Sequence, residues 1–313
     1  MKISIVVPTY REEANILKHY QECIKAIDKV RENYPEFDTY EYFVIDNCSD
    51  DKTVEKVLSM KERDKNIKLF VNDKNYGAVL SPFFGILNCT GDVVFLIAAD
   101  LQEPPAMLLK FIEGIREGYD ASIGIKKESK ENFFMWKIRG LYYFTLKAFG
   151  LIQITSRYSG FGLYKSSLID EFRDNNLEEP TMRVLLPLKT KNIYYCSYDH
   201  LERKHGTSSY DFYSYVKEAL KTIVRNSTRI PSIAAKLSIT LTFLSIILIP
   251  VTITLKLLFW QSLGPGIASI IILLLLINSG LLLLISLLLD RQGQILSRLK
   301  PIRKEVKQKK IYK

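Results

Sequence analysis

Gly91-Asp92-Val93-Val94-Phe95-Leu96-Ile97-Ala98-Ala99-Asp100-Leu101-Gln102-Glu103-Pro104-Pro105 is the stretch on which the fold turns. Its apolar run from Val93 to Ala98 carries β-branched and aromatic side chains, the pattern of a strand buried on both faces. The run ends at a carboxylate, Asp100, followed by an amide, Gln102, and two prolines that cannot donate to a further ladder. In open α/β sheets ligands bind beyond the carboxyl ends of strands, so Asp100 stands where a site is expected. An oxygen-only pair, Asp100 with Gln102, suits Mg2+ or Mn2+. A capped loop with no ligand is the plainer reading of a lone aspartate, and these residues leave both open.

Working outward, the same strand–loop–helix unit recurs. Ile3 to Pro8 reads as a first buried strand, and Ile16, Tyr20, Cys23, Ile24 and Ile27 follow at helical spacing. Tyr40 to Ile45 is a second strand, whose loop Asp46-Asn47-Cys48-Ser49-Asp50-Asp51-Lys52-Thr53 runs into a helix that Asp51 and Thr53 are placed to cap. A third strand spans Ile67 to Val71, a helix Ala106 to Glu117 and a further strand Tyr119 to Ile125. This alternation predicts a mostly parallel, doubly wound α/β sheet with right-handed crossovers.

Composition bounds the rest. The chain has 313 residues, 47% of them apolar, enough for one large domain with residues to spare. Cys23, Cys48, Cys89 and Cys196 are isolated, which fits reduced thiols better than a disulfide frame or a zinc site. Leu237 to Leu255 and Gly266 to Leu289 are uncharged and long enough to span hydrocarbon, with Pro250 expected to kink the first. Lys236 and Arg291 flank the pair, Lys256 can snorkel from the far end of the first span, and no basic residue lies in the connecting loop Gln261–Pro265, so an antiparallel hairpin with both termini cytoplasmic is expected. Of the net charge of +10, nine basic residues follow Asp290, opposed only by Glu305. After a membrane segment such a tail points to anionic lipid rather than nucleic acid. Phe133 to Ile152 and Tyr210 to Arg229 mix aromatics with cations in the manner of helices lying at a bilayer surface. Core packing is the alternative for the first.

The word Ala-Asp-Leu-Gln-Glu-Pro-Pro resembles the Asp-x-Asp-Leu-Gln-x-Pro-Pro signature of glycosyltransferase family 2, in particular its polyprenyl-phosphate sugar transferases. Five further segments resemble the family in order: Pro8-Thr9-Tyr10-Arg11-Glu12, Asp46-Asn47-Cys48-Ser49, Asn75-Tyr76-Gly77, Gly124-Ile125-Lys126 and Arg203-Lys204-His205-Gly206-Thr207-Ser208. The resemblance implies a GT-A-type fold, with Asp100 and Gln102 as metal ligands. It places Pro8, Tyr10, Glu12, Ile45, Asp46, Asn47, Ala99, Asp100, Lys126, Arg203 and Ser208 about the donor, with Asp100 and Arg203 catalytic. Read alone, Tyr10 and Glu12 could be structural, Lys126 a solvated cation, and the Arg203 loop an exposed one. The chain departs from the family at Ala98, Asn47, Cys48, Ala78 and Ser209. It also departs at Ser159-Gly160-Phe161-Gly162-Leu163, where an aspartate and a basic residue are replaced by Gly160 and Gly162.

The organisation expected is a cytosolic catalytic domain over 1–209, an amphipathic helix over 210–235, a two-helix membrane hairpin over 236–290 and a basic tail over 291–313. The expected activity is inverting transfer of one sugar from a nucleotide-diphosphate sugar to a polyprenyl phosphate, with Mg2+ or Mn2+. Partners are the donor, the lipid acceptor and an anionic bilayer, without nucleic acid; a homo-oligomer is compatible with this. A lipid phosphate is already largely ionised near neutral pH, so it can dispense with the base lost at Gly160. The competing readings are a non-catalytic relative and a transferase acting on a lipid-linked glycan hydroxyl.

Overall fold

The computed structural model describes residues 1–127, 157–173, 182–201, 230–258, 266–298 and 307–312. The chain divides into two units: Met1–Tyr143 with Ile152–Tyr213 and Ile302–Lys313, and Phe144–Leu151 with Ser214–Pro301.

The first unit is built on β1 (Lys2–Thr9), β2 (Thr39–Asp46), β3 (Ile67–Asn72), β4 (Val93–Leu96), β5 (Ala121–Lys126), β6 (Gly162–Lys165), β7 (Ile193–Tyr198) and β8 (Gln308–Tyr312). Its described helices are α1 (Ile16–Asn33), α2 (Thr53–Arg63), α3 (Gly77–Asn88), α4 (Met107–Arg116), α5 (Ser166–Arg173) and α6 (Met182–Lys189). One sheet runs in the order β7-β5-β6-β4-β1-β2-β3-β8. β1 is parallel to β2 and β4, β2 to β3 and β5 to β7. β6 enters antiparallel between β4 and β5, and β8 antiparallel on β3. This is the doubly wound, mostly parallel sheet that the alternation predicted.

Alternate β1 side chains serve the two faces. Ile3, Ile5 and Val7 join α1, α2 and α4 in one core, while Val6 joins α3, α5 and α6 in the other. Winding proceeds outward from β1 through β2 to β3, then returns to β4 on the far side of β1. The switch point lies between β1 and β4, and in open α/β sheets ligands bind beyond the carboxyl ends of the strands at such a point.

In the second unit α7 (Ile230–Leu258) and α8 (Ile267–Arg298) pack against each other. Lys236–Leu255 is long and apolar enough to cross a membrane, and Ile272–Leu288 is a shorter apolar stretch of α8. α7 continues through Pro250, whose carbonyl accepts from Thr254 Oγ1 at 2.9 Å.

Three features differ from the sequence reading. β6 and β7 were not foreseen, because Gly162-Leu163-Tyr164-Lys165 is short and glycine-led. α8 carries the basic segment on as helix to Arg298. The tail then ends as strand β8, not as a free basic segment, since an unpaired β3 edge offers its last residues a ladder. The two expected interfacial segments, the interhelical link, Arg203 and Ser208 lie outside the described residues.

Candidate functional site

Three loops meet at the switch point and its flank: Tyr10–Asn15 after β1, Asn47–Lys52 after β2 and Ile97–Pro105 after β4. β1 and β2 end in register, Pro8 against Ile45 and Thr9 against Asp46. The Ile97 N–H donates to the Val6 carbonyl and so carries the β4 loop alongside β1. Each loop holds one non-glycine residue at positive φ: Arg11 at 57°, Cys48 at 65° and Leu101 at 61°. Among the described residues these are the only three. Left-handed backbone at L-residues is costly and collects where a site demands it.

Asp46 closes β2 fully buried. Its carboxylate accepts from Ser49 N at 2.9 Å, Ser49 Oγ at 2.6 Å and Thr9 Oγ1 at 3.2 Å. Burial nevertheless raises its pKa above the usual aspartate range. Asn47 works as a latch on the loop after β3. Its amide donates to Asn75 Oδ1 at 2.8 Å, while its oxygen accepts from Tyr76 N at 2.9 Å and Asn72 Nδ2 at 3.2 Å. The amide that breaks the family pattern therefore has donor work that a carboxylate cannot do.

Glu12 is buried and accepts from Asn15 Nδ2 at 2.7 Å, while its N–H donates to Thr53 Oγ1 at 2.9 Å. Tyr10 is half-buried beneath the Arg11 guanidinium, 5.3 Å from the ring centre, and Arg11 pairs with Asp50 at 2.6 Å. Asp51 accepts from Thr53 N, the first N–H of α2, at 3.0 Å, and from Thr53 Oγ1 at 2.6 Å, while the N-cap position itself is Lys52.

Asp100 is half-buried and its Oδ1 accepts from Gln102 N at 3.2 Å. Ala99 is buried beneath it. Gln102 Nε2 donates to the Leu201 carbonyl at 3.3 Å, and Leu201 N donates back to the Gln102 carbonyl at 3.0 Å. Thus Leu201, two positions before Arg203, is tied to the acidic motif. Asp100 and the free oxygen of the Gln102 amide are hard oxygen donors, a set that fits Mg2+ or Mn2+ with the remaining positions left to phosphate and water. No cluster of three acidic, histidine or cysteine side chains suited to a metal exists among the described residues.

Sequence reasoning missed three residues here. Glu103 is buried, accepts from Ser159 Oγ at 2.7 Å and Ala98 N at 3.3 Å, and is pushed up to about 7 by burial. It spans the two places where family carboxylates are absent, Ala98 and Gly160. His200 lies within electrostatic reach of Lys126 and Asp100, and burial lowers its pKa, followed by the Lys126 charge. His19 on α1 bonds Tyr42 OH at 2.7 Å and the Ala98 backbone, and burial pushes it down to about 4. An acid before two prolines reads as exposed, and a histidine on a helix face reads as core. Only His200, three positions before Arg203, carried a usable signal.

The structure accounts for Gly162 directly. A Cβ there would sit 2.6 Å from the Ser122 carbonyl oxygen and 3.1 Å from Ile123 Cα, so a basic side chain has no entry. Gly160 has φ of +112°, and a Cβ there would make only ordinary contacts, 3.5 Å to Leu96 Cδ2 and 3.8 Å to Met182, so backbone conformation rather than crowding favours glycine.

Similarity to known proteins agrees with this geometry. The chain is 26% identical over 296 residues to the uncharacterized glycosyltransferase YkcC of Bacillus subtilis, covering 94% of this chain and 90% of that one. It is 25% identical over 215 residues to the undecaprenyl-phosphate 4-deoxy-4-formamido-L-arabinose transferase of Edwardsiella ictaluri, over 66% of this chain and 62% of that protein. It is 33% identical over 124 residues to the dolichol-phosphate mannosyltransferase of Pyrococcus furiosus, over 40% of this chain and 33% of that protein. The family model described as glycosyl transferase family 2 matches residues 4–173, more than half of the chain. The chain belongs to glycosyl transferase family 2 and is a glycosyltransferase.

Proposed function

We propose that the protein transfers a single sugar from a nucleotide-diphosphate sugar to a polyprenyl phosphate at a membrane face, with inversion at the anomeric carbon. The observation that carries this reading is the presence in one chain of a strand-order switch point between β1 and β4, with Asp46 and Asp100 at or beyond the strand ends beside it, and an apolar helix, Lys236–Leu255, able to cross a bilayer. A membrane-anchored transferase meets an acceptor that cannot leave the membrane. The names of the Edwardsiella and Pyrococcus relatives point to the same acceptor class.

In this reading Tyr10 and Glu12 face the base, Asp46 and Asn47 accept and orient the nucleoside, and Pro8, Ile45 and Ala99 shape the floor. Asp100 and Gln102 hold the divalent ion, which when bound supplies Lewis-acid charge to the leaving diphosphate. Lys126, Arg203 and Ser208 face phosphate oxygens. The acceptor phosphate, carrying its own negative charge, attacks the anomeric carbon as the sugar–phosphate bond to the donor breaks. α7 and α8 form the membrane hairpin, with both termini and the site on the cytoplasmic side.

The test incubates membranes containing the protein with radiolabelled UDP- and GDP-sugars and extracts lipid. Label in an organic-soluble, mild-acid-labile product supports the reading. Label confined to longer lipid-linked glycans would assign a hydroxyl acceptor, and no lipid label with any donor would overturn the proposal.

A further inference from the structure

The sheet edge beside the candidate donor loop is occupied by the far end of the chain. β8 pairs antiparallel with β3, Leu69 opposite Tyr312, Phe70 opposite Ile311, Val71 opposite Lys310 and Asn72 opposite Gln308. The pairing continues past the strand. Asp73 N donates to the Lys307 carbonyl at 3.0 Å, and Lys307 N donates to the Tyr76 hydroxyl at 3.0 Å. That hydroxyl in turn donates to Asp73 Oδ1 at 2.7 Å. The loop from Asn72 to Gly77 is thus held from one side by the tail and from the other by Asn47, which takes Asn72 Nδ2, Tyr76 N and Asn75 Oδ1. A bulge between Val71 and Asn72 turns the strand into the loop where the tail is still paired.

We infer that the C-terminal strand Gln308–Tyr312, acting through Lys307 and the Tyr76 hydroxyl, is a positioning element of the nucleotide site. It fixes the Asn72–Gly77 loop in the conformation that Asn47 latches. The inference deepens the proposed donor site and rests on that reading. Three independent facts carry it. The four residue pairs belong to a ladder, not to a chance surface touch. Tyr312 packs against the core formed with α1 and α2. Four of the loop's other hydrogen bonds run to Asn47, adjacent to Asp46, so a displacement at Tyr76 is felt one residue from the proposed nucleoside contact. The strand follows α8 in the chain and so comes after the apolar helices.

The test uses the full chain in detergent. Tyr76→Phe removes only the hydroxyl, and a stop after residue 306 removes the strand. Affinity for UDP and for GDP is measured with Mg2+ present, and hydrogen exchange is followed over Asn72–Gly77. Tyr76→Phe removes both hydrogen bonds of that hydroxyl, so it should weaken nucleotide binding by at most about 30-fold, at about 1 kcal/mol for each bond, and speed exchange in the loop. The truncation should do more of both. A synthetic peptide of residues 307–313, added in excess, should restore protection and affinity by re-adding the strand. Unchanged exchange over Asn72–Gly77 in both variants would overturn the inference. Asn47→Ala, read by nucleotide affinity, separates the two layers: if it binds UDP and GDP like the wild type, the donor reading falls, while the exchange data still report whether the tail holds the loop.

Discussion

Asn47→Asp restores the side chain that the family pattern has at this position, and the structure says it weakens the protein. The Asn47 amide donates to Asn75 Oδ1 at 2.8 Å and to the Gly77 carbonyl at 3.4 Å. A carboxylate donates to neither, and it brings a charged oxygen against the Asn75 oxygen. Asn75 cannot simply turn over, because the same Oδ1 accepts from Gly77 N at 2.8 Å. Two hydrogen bonds at about 1 kcal/mol each set the loss near 2 kcal/mol. If nucleotide binds only the latched loop, affinity falls by at most about 30-fold. Calorimetric titration of the detergent-solubilised protein with UDP and GDP checks this, with thermal unfolding as a control for global damage. The double-mutant cycle of Asn47→Ala with Asn75→Ala should return a coupling of about 1 kcal/mol. Wild-type affinity in Asn47→Asp, or a coupling of zero, would refute the latch.

Glu41 on β2 joins β1, β3 and the turn before β4 at the strands' amino ends, accepting from Ser4 Oγ, Thr90 N, Lys2 Nζ and Lys68 Nζ. Although burial opposes it, these partners hold the carboxyl at about 2, below its ordinary 4.5. A depressed carboxyl stabilises above its unfolded pKa, so this contribution is present above about pH 4.5 and disappears as pH falls toward 2. Glu41→Gln should therefore lose about 2 kcal/mol at pH 7, discounted from about 3 because both lysines keep partial exposure, and about a quarter of that at pH 2.5, by urea unfolding. Equal losses at the two pH values would contradict the charge argument. Cys48→Gly relieves the left-handed backbone but adds unfolded-state entropy, so unfolding should show between no change and a gain of about 1 kcal/mol. A loss beyond 1 kcal/mol would mean the Cys48 side chain is needed. Gly162→Ala drives a methyl into the Ser122 carbonyl, and should cost about 2 kcal/mol or more by the same measurement. An unchanged midpoint would show that β5 and β6 can part there.

What the sequence disclosed depended on whether a signal was local. The β4 run was legible because a strand buried on both faces is apolar throughout, although the strand closes at Leu96 and Asp100 lies in the loop beyond it. The β1 and β2 ends were legible for the same reason. β6 was hidden, since Gly162 owes its identity to the approach of the β5 backbone, a long-range cause. β8 was hidden by charge: Lys309 and Lys310 read as a membrane tail, although exposed lysines are ordinary on an edge strand. Asn47 and Gly162 read in sequence as losses from a family pattern. In the fold the first is a donor with its acceptors in place, and the second is a position closed by neighbouring backbone. Glu103 could not be found at all, because the hydrogen bond that satisfies its buried carboxyl comes from Ser159, 56 residues away.

Gly160 remains the departure that bears on mechanism, and its backbone decides how it must be tested. With φ of +112°, any side chain strains the turn, so Gly160→Asp alone confounds strain with chemistry. Gly160→Ala carries the same strain and no carboxylate. The Cβ has room in both, its nearest neighbours being Leu96 Cδ2 at 3.5 Å and Met182 at 3.8 Å. The ratio of turnover in Gly160→Asp to that in Gly160→Ala therefore isolates what the carboxylate does. A general base newly supplied to a hydroxyl acceptor raises turnover by about 10²–10⁴. For a lipid phosphate the ratio should be near or below one, since a second anion beside an ionised nucleophile repels it. Wild-type turnover at saturating donor should then rise through about pH 6–7 with the second ionisation of the phosphate. A ratio of a hundred or more would sink the self-ionised acceptor and direct attention to a glycan hydroxyl.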